Sequence, residues 1–239
     1  MTLSRPILAS SILCYDELIM AEEKALKLSP NSLNLYRECP RCFWLQFNKG
    51  IHRPRGIFPS LPGGMDGILK TYFDEYRGTG HLPPIVEGKL EGQLMNPLAK
   101  SLMYKDTDLQ VILFGKLDEA LDFGDGTYAV VDHKTRGYAP KEEIIEAYQL
   151  QMDVYDFLMR QNNLMTKNVA YLIYYYPTTG QLHENFPFEV VVKSITTNPE
   201  RARQVFEDAV NLLRSDEIPH ASKTCEYCGW AKAMNNLGD

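Results

Sequence analysis

The stretch Leu109–Phe123 (LQVILFGKLDEALDF) is apolar enough for buried strands, and Tyr128–Thr135 (YAVVDHKT) has the Tyr, Val and Thr content of another strand. The period then lengthens. Lys141–Gln161 carries apolar residues at helical spacing: Ala139-Pro140 places a proline at its start, and Ile144, Ala147, Leu150, Val154 and Leu158 supply a core stripe. Upstream, Tyr15–Leu28 and Pro30–Phe47 read as helices, with Ser29 as a cap, Pro30 in the first position and Pro40 interrupting the second. Ile51–Gly63 is a Pro/Gly loop, Gly63–Tyr76 a helix, Gly78–Pro84 a turn-rich linker and Glu87–Phe123 mostly strand. Asn168–Tyr176 and Phe186–Ser194 extend the sheet, with the Lys141–Gln161 helix as the crossover from Val130–Lys134. Asn198-Pro199 opens a last long helix ending near Arg214. This order predicts an α/β core, a central mixed sheet flanked by helices, in a single domain over residues 1–239.

Gly124-Asp125-Gly126 is a hairpin signal. A three-residue loop with a glycine in the left-handed region pairs Phe123 with Thr127 and sets Asp118 opposite Asp132. A two-residue loop slips the register by one and sends Asp118 to the other face. Strand residues i and i+2 share a face, so Asp132 and Lys134 project together with Val130 behind them, while His133 faces away. Two carboxylates can hold Mg²⁺ or Mn²⁺, which take hard oxygen ligands. A lysine beside them can hold an attacking water or stabilise charge on a phosphate. On the next helix, Gln151 and Tyr155 stand one turn apart on one face and can donate hydrogen bonds to phosphate or ribose oxygens. The plainer reading of these residues is a solvated strand edge and an ordinary amphipathic helix. The apolar run Ala129-Val130-Val131 argues for burial, and buried charges are paired or metal-bound.

In combination these residues resemble the PD-(D/E)XK nuclease superfamily, and within it the RecB-type exonuclease domains and the CRISPR-associated iron–sulfur exonucleases. Asp118 in Gly115-Lys116-Leu117-Asp118-Glu119 resembles the first strand aspartate, Asp132-His133-Lys134 the D/E-x-K, and Gln151-Met152-Asp153-Val154-Tyr155 the Q-x-x-x-Y of the RecB-type branch. The resemblance spans about Ser29 to Trp230 and implies a restriction-endonuclease-like fold. It also implies catalysis by Asp118, Asp132, Lys134, Gln151 and Tyr155, with the backbone carbonyl of His133 as a further metal ligand. Members often carry a metal-binding histidine on an early helix after a glycine. The matching helix here, Gly63–Tyr76, has none. Asp66 follows Gly64 and can serve as an oxygen ligand instead, or is a helix-start residue favoured by the dipole.

There are five cysteines. Cys14 reads as a small apolar residue on the first helix; Cys39, Cys42, Cys225 and Cys228 form two C-x-x-C pairs near opposite ends of the chain. No thioredoxin-like pattern surrounds them, and the chain is long enough to build a core without disulfides. They read as one four-thiolate site for Zn²⁺ or an iron–sulfur cluster, a staple formed by residues 29–48 and 215–233. General chemistry suits zinc. The resemblance implies [4Fe-4S], although iron–sulfur relatives divide their cysteines one plus three and this chain divides them two plus two.

The hydrophobic fraction, 44%, is that of a soluble globular protein, no apolar run reaches membrane length, and the N-terminus lacks a secretory pattern; the expected place is the cytoplasm or, in a cell with one, the nucleus, without a membrane partner. A net charge of −6 argues against a nonspecific nucleic-acid coat but is compatible with a carboxylate-rich site. Arg53, Arg55 and Arg136 are candidate phosphate contacts, alongside Lys49, His52 and Lys141; Arg53-Pro54-Arg55 can equally be a solvated loop. Tyr171, Tyr174, Tyr175 and Tyr176 suggest base stacking but fit a strand core better, and Trp44 and Trp230 are expected to pack around the cysteine site. The expected activity is metal-dependent cleavage of DNA, as an exonuclease on single strands or ends, beside a helicase, CRISPR or recombination partner. The rival expectations are an inactive nuclease-fold module that binds nucleic acid or assembles with a partner, and a redox enzyme using the C-x-x-C pairs.

Overall fold

The computed structural model describes residues 26–54, 56, 60–141, 146–182 and 185–236. Cys14, Arg55, Ile144 and most of the first expected helix lie outside them. Residues Leu26–Leu28, expected as the end of that helix, instead form strand β1, which pairs in parallel with Val111–Leu113. The long-range pairing with β4 decides the difference, and in it Leu28 is buried while Lys27 faces out.

Helix α1 (Pro30–Glu38) starts at Ser29, whose side chain accepts from the Ser32 amide in a capping box. Pro40 ends it and opens α2 (Pro40–Lys49), so the expected single helix is two. Helix α3 (Ser60–Tyr76) begins earlier than expected and takes in the end of the Pro/Gly loop. Strands β2 (Gln93–Leu94), β3 (Ser101–Asp106), β4 (Val111–Lys116), β5 (Glu119–Asp122) and β6 (Tyr128–Thr135) follow. The apolar run 109–123 is therefore broken at Leu117-Asp118, where the chain leaves a three-stranded sheet (β1-β4-β3) and enters the main sheet.

Helix α4 (Gln149–Gln161) carries the crossover from β6 to a parallel β7 (Thr166–Pro177), which turns back into β8 (Phe188–Thr196). Leu150, Val154 and Leu158 form the buried stripe; Ala147 lies in the turn ahead of the helix and is exposed. The main sheet has the order β2-β5-β6-β7-β8. Helix α5 (Pro199–Leu213), capped by Asn198, packs on α4, and α6 (Glu226–Asn235) ends the described chain.

Two cores sandwich the main sheet. On one face Leu69 and Phe73 of α3 meet Leu121, Ala129, Val131, Ile173 and Tyr175. On the other, α1, α2, α4 and α5 bury Phe43, Leu150, Leu158 and Phe206 against Val130, Leu172 and Tyr174. Tyr174 and Tyr176 thus face one core and Tyr175 the other, all buried. This mixed sheet between helical layers is the restriction-endonuclease-like arrangement. No helix among the described residues is long and apolar enough to cross a membrane.

Candidate active site

The hairpin between β5 and β6 fixes the site. Glu119 pairs with Val131 and Asp122 with Tyr128, the Phe123 amide donates to the Thr127 carbonyl, and Gly124 and Gly126 both have positive φ. This is the three-residue loop, which glycine permits at low cost. Asp118 stands just beyond the last pair, and its Oδ2 accepts from the His133 amide at 3.2 Å. The aspartate thereby sits against the strand that carries Asp132 and Lys134.

Asp132 is buried at the mouth of the sheet. Its Oδ2 forms an ion pair with Lys134 Nζ but accepts no well-directed hydrogen bond, while Oδ1 accepts from Gln151 Nε2 at 3.2 Å. Gln151 is the joint of the group. Its Oε1 accepts from Lys134 Nζ at 3.2 Å, and its Nε2 also lies 3.2 Å from the Tyr155 hydroxyl. Lys134 lies over the ring of Tyr148, 4.5 Å from its centroid. Asp132 and Lys134 of one strand, Gln151 and Tyr155 of one helix and Tyr148 at that helix's N-cap therefore converge. Helix α4 approaches closely because β4 has Gly115: a Cβ there would stand 2.8 Å from Tyr155 Cε1 and 2.8 Å from Leu158 Cδ1.

Burial raises the Asp132 carboxyl to about 6, with Lys134 opposing the shift and Asp118 adding to it. Burial likewise lifts the Tyr155 hydroxyl to about 12, so it is a hydrogen-bonding phenol at neutral pH. His133 points into the opposite core, edge-on to Phe73 with centroids 4.6 Å apart, with Nδ1 3.0 Å from the Tyr175 hydroxyl. Burial depresses its imidazole to about 4, which keeps it neutral.

Helix α3 contributes two groups. Asp66 is half exposed, and Lys70, one turn later, extends its ammonium to 2.8 Å from both Asp66 Oδ2 and Asp118 Oδ1. Desolvation would lower the Lys70 amine, but Asp118 and Asp66 outweigh it and push it well above the usual lysine range. Lys70 had no sequence motif to mark it; its spacing of four residues from Asp66 was the available signal. Lys70, Lys100, Lys116 and Asp118 line a cavity of ≈ 170 Å³. Arg77 anchors the end of α3, with Nη2 2.6 Å from the buried Glu119 Oε2.

The carboxylates suit a hard divalent ion. Asp66 and Asp118 converge on one ammonium, Asp132 on another, and Asp132 Oδ2 retains an acceptor without a hydrogen bond. Arg136 lies just past the end of the strand that carries Lys134, its Nη2 3.2 Å from the Tyr138 hydroxyl. Asp153 and Asp156, also on α4, serve the scaffold instead. Asp153 binds Arg201 Nε at 2.6 Å and the Asn198 amide at 2.8 Å, and Asp156 binds Arg160, Thr166 and Thr197.

The cysteines gather elsewhere. Cys39 precedes α2 and Cys225 precedes α6, so both C-x-x-C turns open helices. Their four sulfurs lie within 4.8 Å of one another, within metal-binding distance. Burial would raise the Cys39 thiol, but the amides of Cys42 and Ser222 and the thiols of Cys225 and Cys42 bring it down to about 7. Arg53 is drawn into this cluster: Nη1 lies 2.6 Å from Glu38 Oε2 and Nη2 3.7 Å from Cys225 Sγ. A cleft of ≈ 500 Å³ adjoins the thiols and is separate in its lining from the carboxylates. Trp44 packs inside, its indole donating to the Ser215 carbonyl at 3.0 Å. Trp230 does not pack as expected. It is 66% exposed, because α6 buries no residue and turns this side chain to solvent.

No curated protein matches the chain. Among solved structures, it is similar in shape to the crystal structure of SSO0001, at 13% identity, covering 94% of this chain and 97% of that one with a TM-score of 0.49. The profile of the PD-(D/E)XK nuclease superfamily matches residues 68–233, from α3 through both strands of the hairpin and the Gln151 helix into α6. With more than half of its length matched, the chain belongs to the PD-(D/E)XK nuclease superfamily.

Proposed function

We propose that this chain is a metal-dependent deoxyribonuclease of RecB-type character, an exonuclease acting on single-stranded DNA or DNA ends. The observation that carries this reading is the Gln151 amide, bonded at once to Asp132, Lys134 and Tyr155. A helix has no packing reason to place a glutamine between a buried carboxylate and a lysine; a site that must hold both in register does.

Asp118 and Asp132, with Asp66 and the His133 carbonyl, would hold Mg²⁺ or Mn²⁺. Such an ion neutralises phosphate charge and acidifies a bound water. Lys134, only 15% exposed and pinned by Gln151 and the Tyr148 ring, positions the attacking water or meets the charge that develops on the phosphate. Gln151 and Tyr155 orient the scissile strand by donating to its oxygens. Arg136 meets the backbone beyond the scissile group, as does Arg55, which lies outside the described residues. Arg53 belongs to the cysteine staple in this reading, not to the DNA path. A helicase or a CRISPR or recombination complex would present the DNA end.

A second reading, a nucleic-acid-binding or assembly module without activity, draws on one observation: the Lys70 ammonium stands between Asp66 and Asp118. End-labelled single- and double-stranded DNA, incubated with the protein in Mn²⁺ and in EDTA, separates the two. Label lost progressively from ends, and only with metal, supports the exonuclease. Binding without cleavage supports the module.

A further inference from the structure

The cysteine sulfurs are spaced for one ion. Cys42 Sγ lies 3.5 Å from Cys228 Sγ and 3.6 Å from Cys225 Sγ, and Cys39 Sγ lies 3.9 Å from Cys228 Sγ. Four thiolates about 2.3 Å from a tetrahedral ion stand about 3.8 Å apart by simple geometry. In a four-iron cluster each thiolate binds a different iron, with sulfides between the irons, which spreads the thiolates wider. A disulfide requires about 2.0 Å, far shorter than any of these separations. Tetrahedral coordination by four thiolates is a structural zinc arrangement, and a single iron is the alternative at this spacing that metal content separates. We propose that Cys39, Cys42, Cys225 and Cys228 hold one zinc ion, with Arg53 as its outer cation, and that no iron–sulfur cluster forms here.

Charge supports this assignment. Four thiolates around a divalent ion leave two negative charges in a largely buried site. Arg53 answers one of them: its guanidinium donates to Cys225 Sγ, is fixed by Glu38, and lies over the Tyr227 ring at 4.8 Å. The N-termini of α2 and α6 supply the rest, since each helix opens at a cysteine of the site. The consequence is mechanical. Helix α6 buries none of its own residues, and Tyr227, Trp230 and Met234 are all exposed. The ion, more than packing, holds this helix to the body of the protein.

The test is the metal and sulfide content of the full chain purified without oxygen. One zinc per chain, no sulfide and no visible absorption are expected, and Co²⁺ exchange should give the ligand-field bands of tetrahedral tetrathiolate cobalt. Iron with sulfide, iron alone, or a metal-free protein with oxidised cysteines would each overturn the zinc assignment. Arg53→Gln is expected to keep the stoichiometry and weaken zinc retention against a chelator by roughly tenfold, as loss of an outer hydrogen-bond partner does. Zinc release at the unaltered rate would remove Arg53 from the site. Neither readout depends on nuclease activity.

Discussion

The Lys70 ammonium lies 2.8 Å from Asp118 Oδ1, so a helix on one face of the sheet supplies the counter-charge to the first aspartate of the hairpin site. It also holds Asp66, the other carboxylate of α3. An ion bound by these aspartates must displace or share them with the lysine.

Lys70→Met is therefore expected to tighten Mn²⁺ binding. Because Lys70 is 40% exposed, solvent screening limits the gain to on the order of 1 kcal/mol, a severalfold drop in Kd. Calorimetric titration of protein whose cysteine site is already metal-loaded measures it. Unchanged or weaker binding would mean that Lys70 does not compete with the ion.

Asp132 gives the site a pH dependence. Burial raises its carboxyl to about 6, above the ordinary carboxylate range, so the metal-free site protonates as pH falls through that value. A metal ion needs the ionised form. Mn²⁺ affinity is expected to be flat above about pH 7 and to fall by about tenfold per unit below about pH 6, with one proton released per ion bound. Titrations from pH 5 to 8, in steps of roughly half a unit, would show a flat profile if Asp132 is not a ligand.

Much of this was legible in the chain. The hairpin was legible from Gly124-Asp125-Gly126, but two registers were compatible with it; the chain takes the three-residue loop, with Gly124 and Gly126 both at positive φ. The crossover helix followed from its apolar period, but it begins at Gln149 and not at Lys141, and its two polar residues at one-turn spacing lie within it. The break at Leu117-Asp118 was not legible, since both sheets bury their strands and one apolar run serves both. Strand β1 was hidden because three residues carry no period, and its pairing with β4 is a long-range choice. Trp230 was misjudged because proximity to a cysteine in sequence does not say which side of α6 faces the protein. Arg53 took a position set by tertiary contacts, and Lys70 was signalled only by its spacing of four residues from Asp66.

Gly115 sets the approach of α4 to β4. Gly115→Ala forces a methyl against Tyr155 and Leu158, and overpacking of this kind costs about 1–3 kcal/mol. A lowered melting temperature is expected together with a loss of kcat larger than the loss of folded protein, because Tyr155 is displaced. Loss of stability with full kcat would separate Tyr155 placement from catalysis.

The Arg77–Glu119 pair ties α3 to the sheet. Arg77→Ala leaves a buried carboxylate without its partner and should cost about 3–5 kcal/mol in denaturant unfolding. Arg77→Met with Glu119→Leu removes both charges and should recover most of that loss. A double variant as unstable as the single one would show that packing, not charge, is at stake.

The central claim is that Lys134 acts in catalysis and is not a tether for Asp132. Cleavage of end-labelled single-stranded DNA by Lys134→Ala in Mn²⁺, measured beside its Mn²⁺ binding, tests this directly. The expected result is loss of cleavage by at least about 10²-fold with metal affinity kept within severalfold. Cleavage at the rate of the unaltered protein would contradict the account.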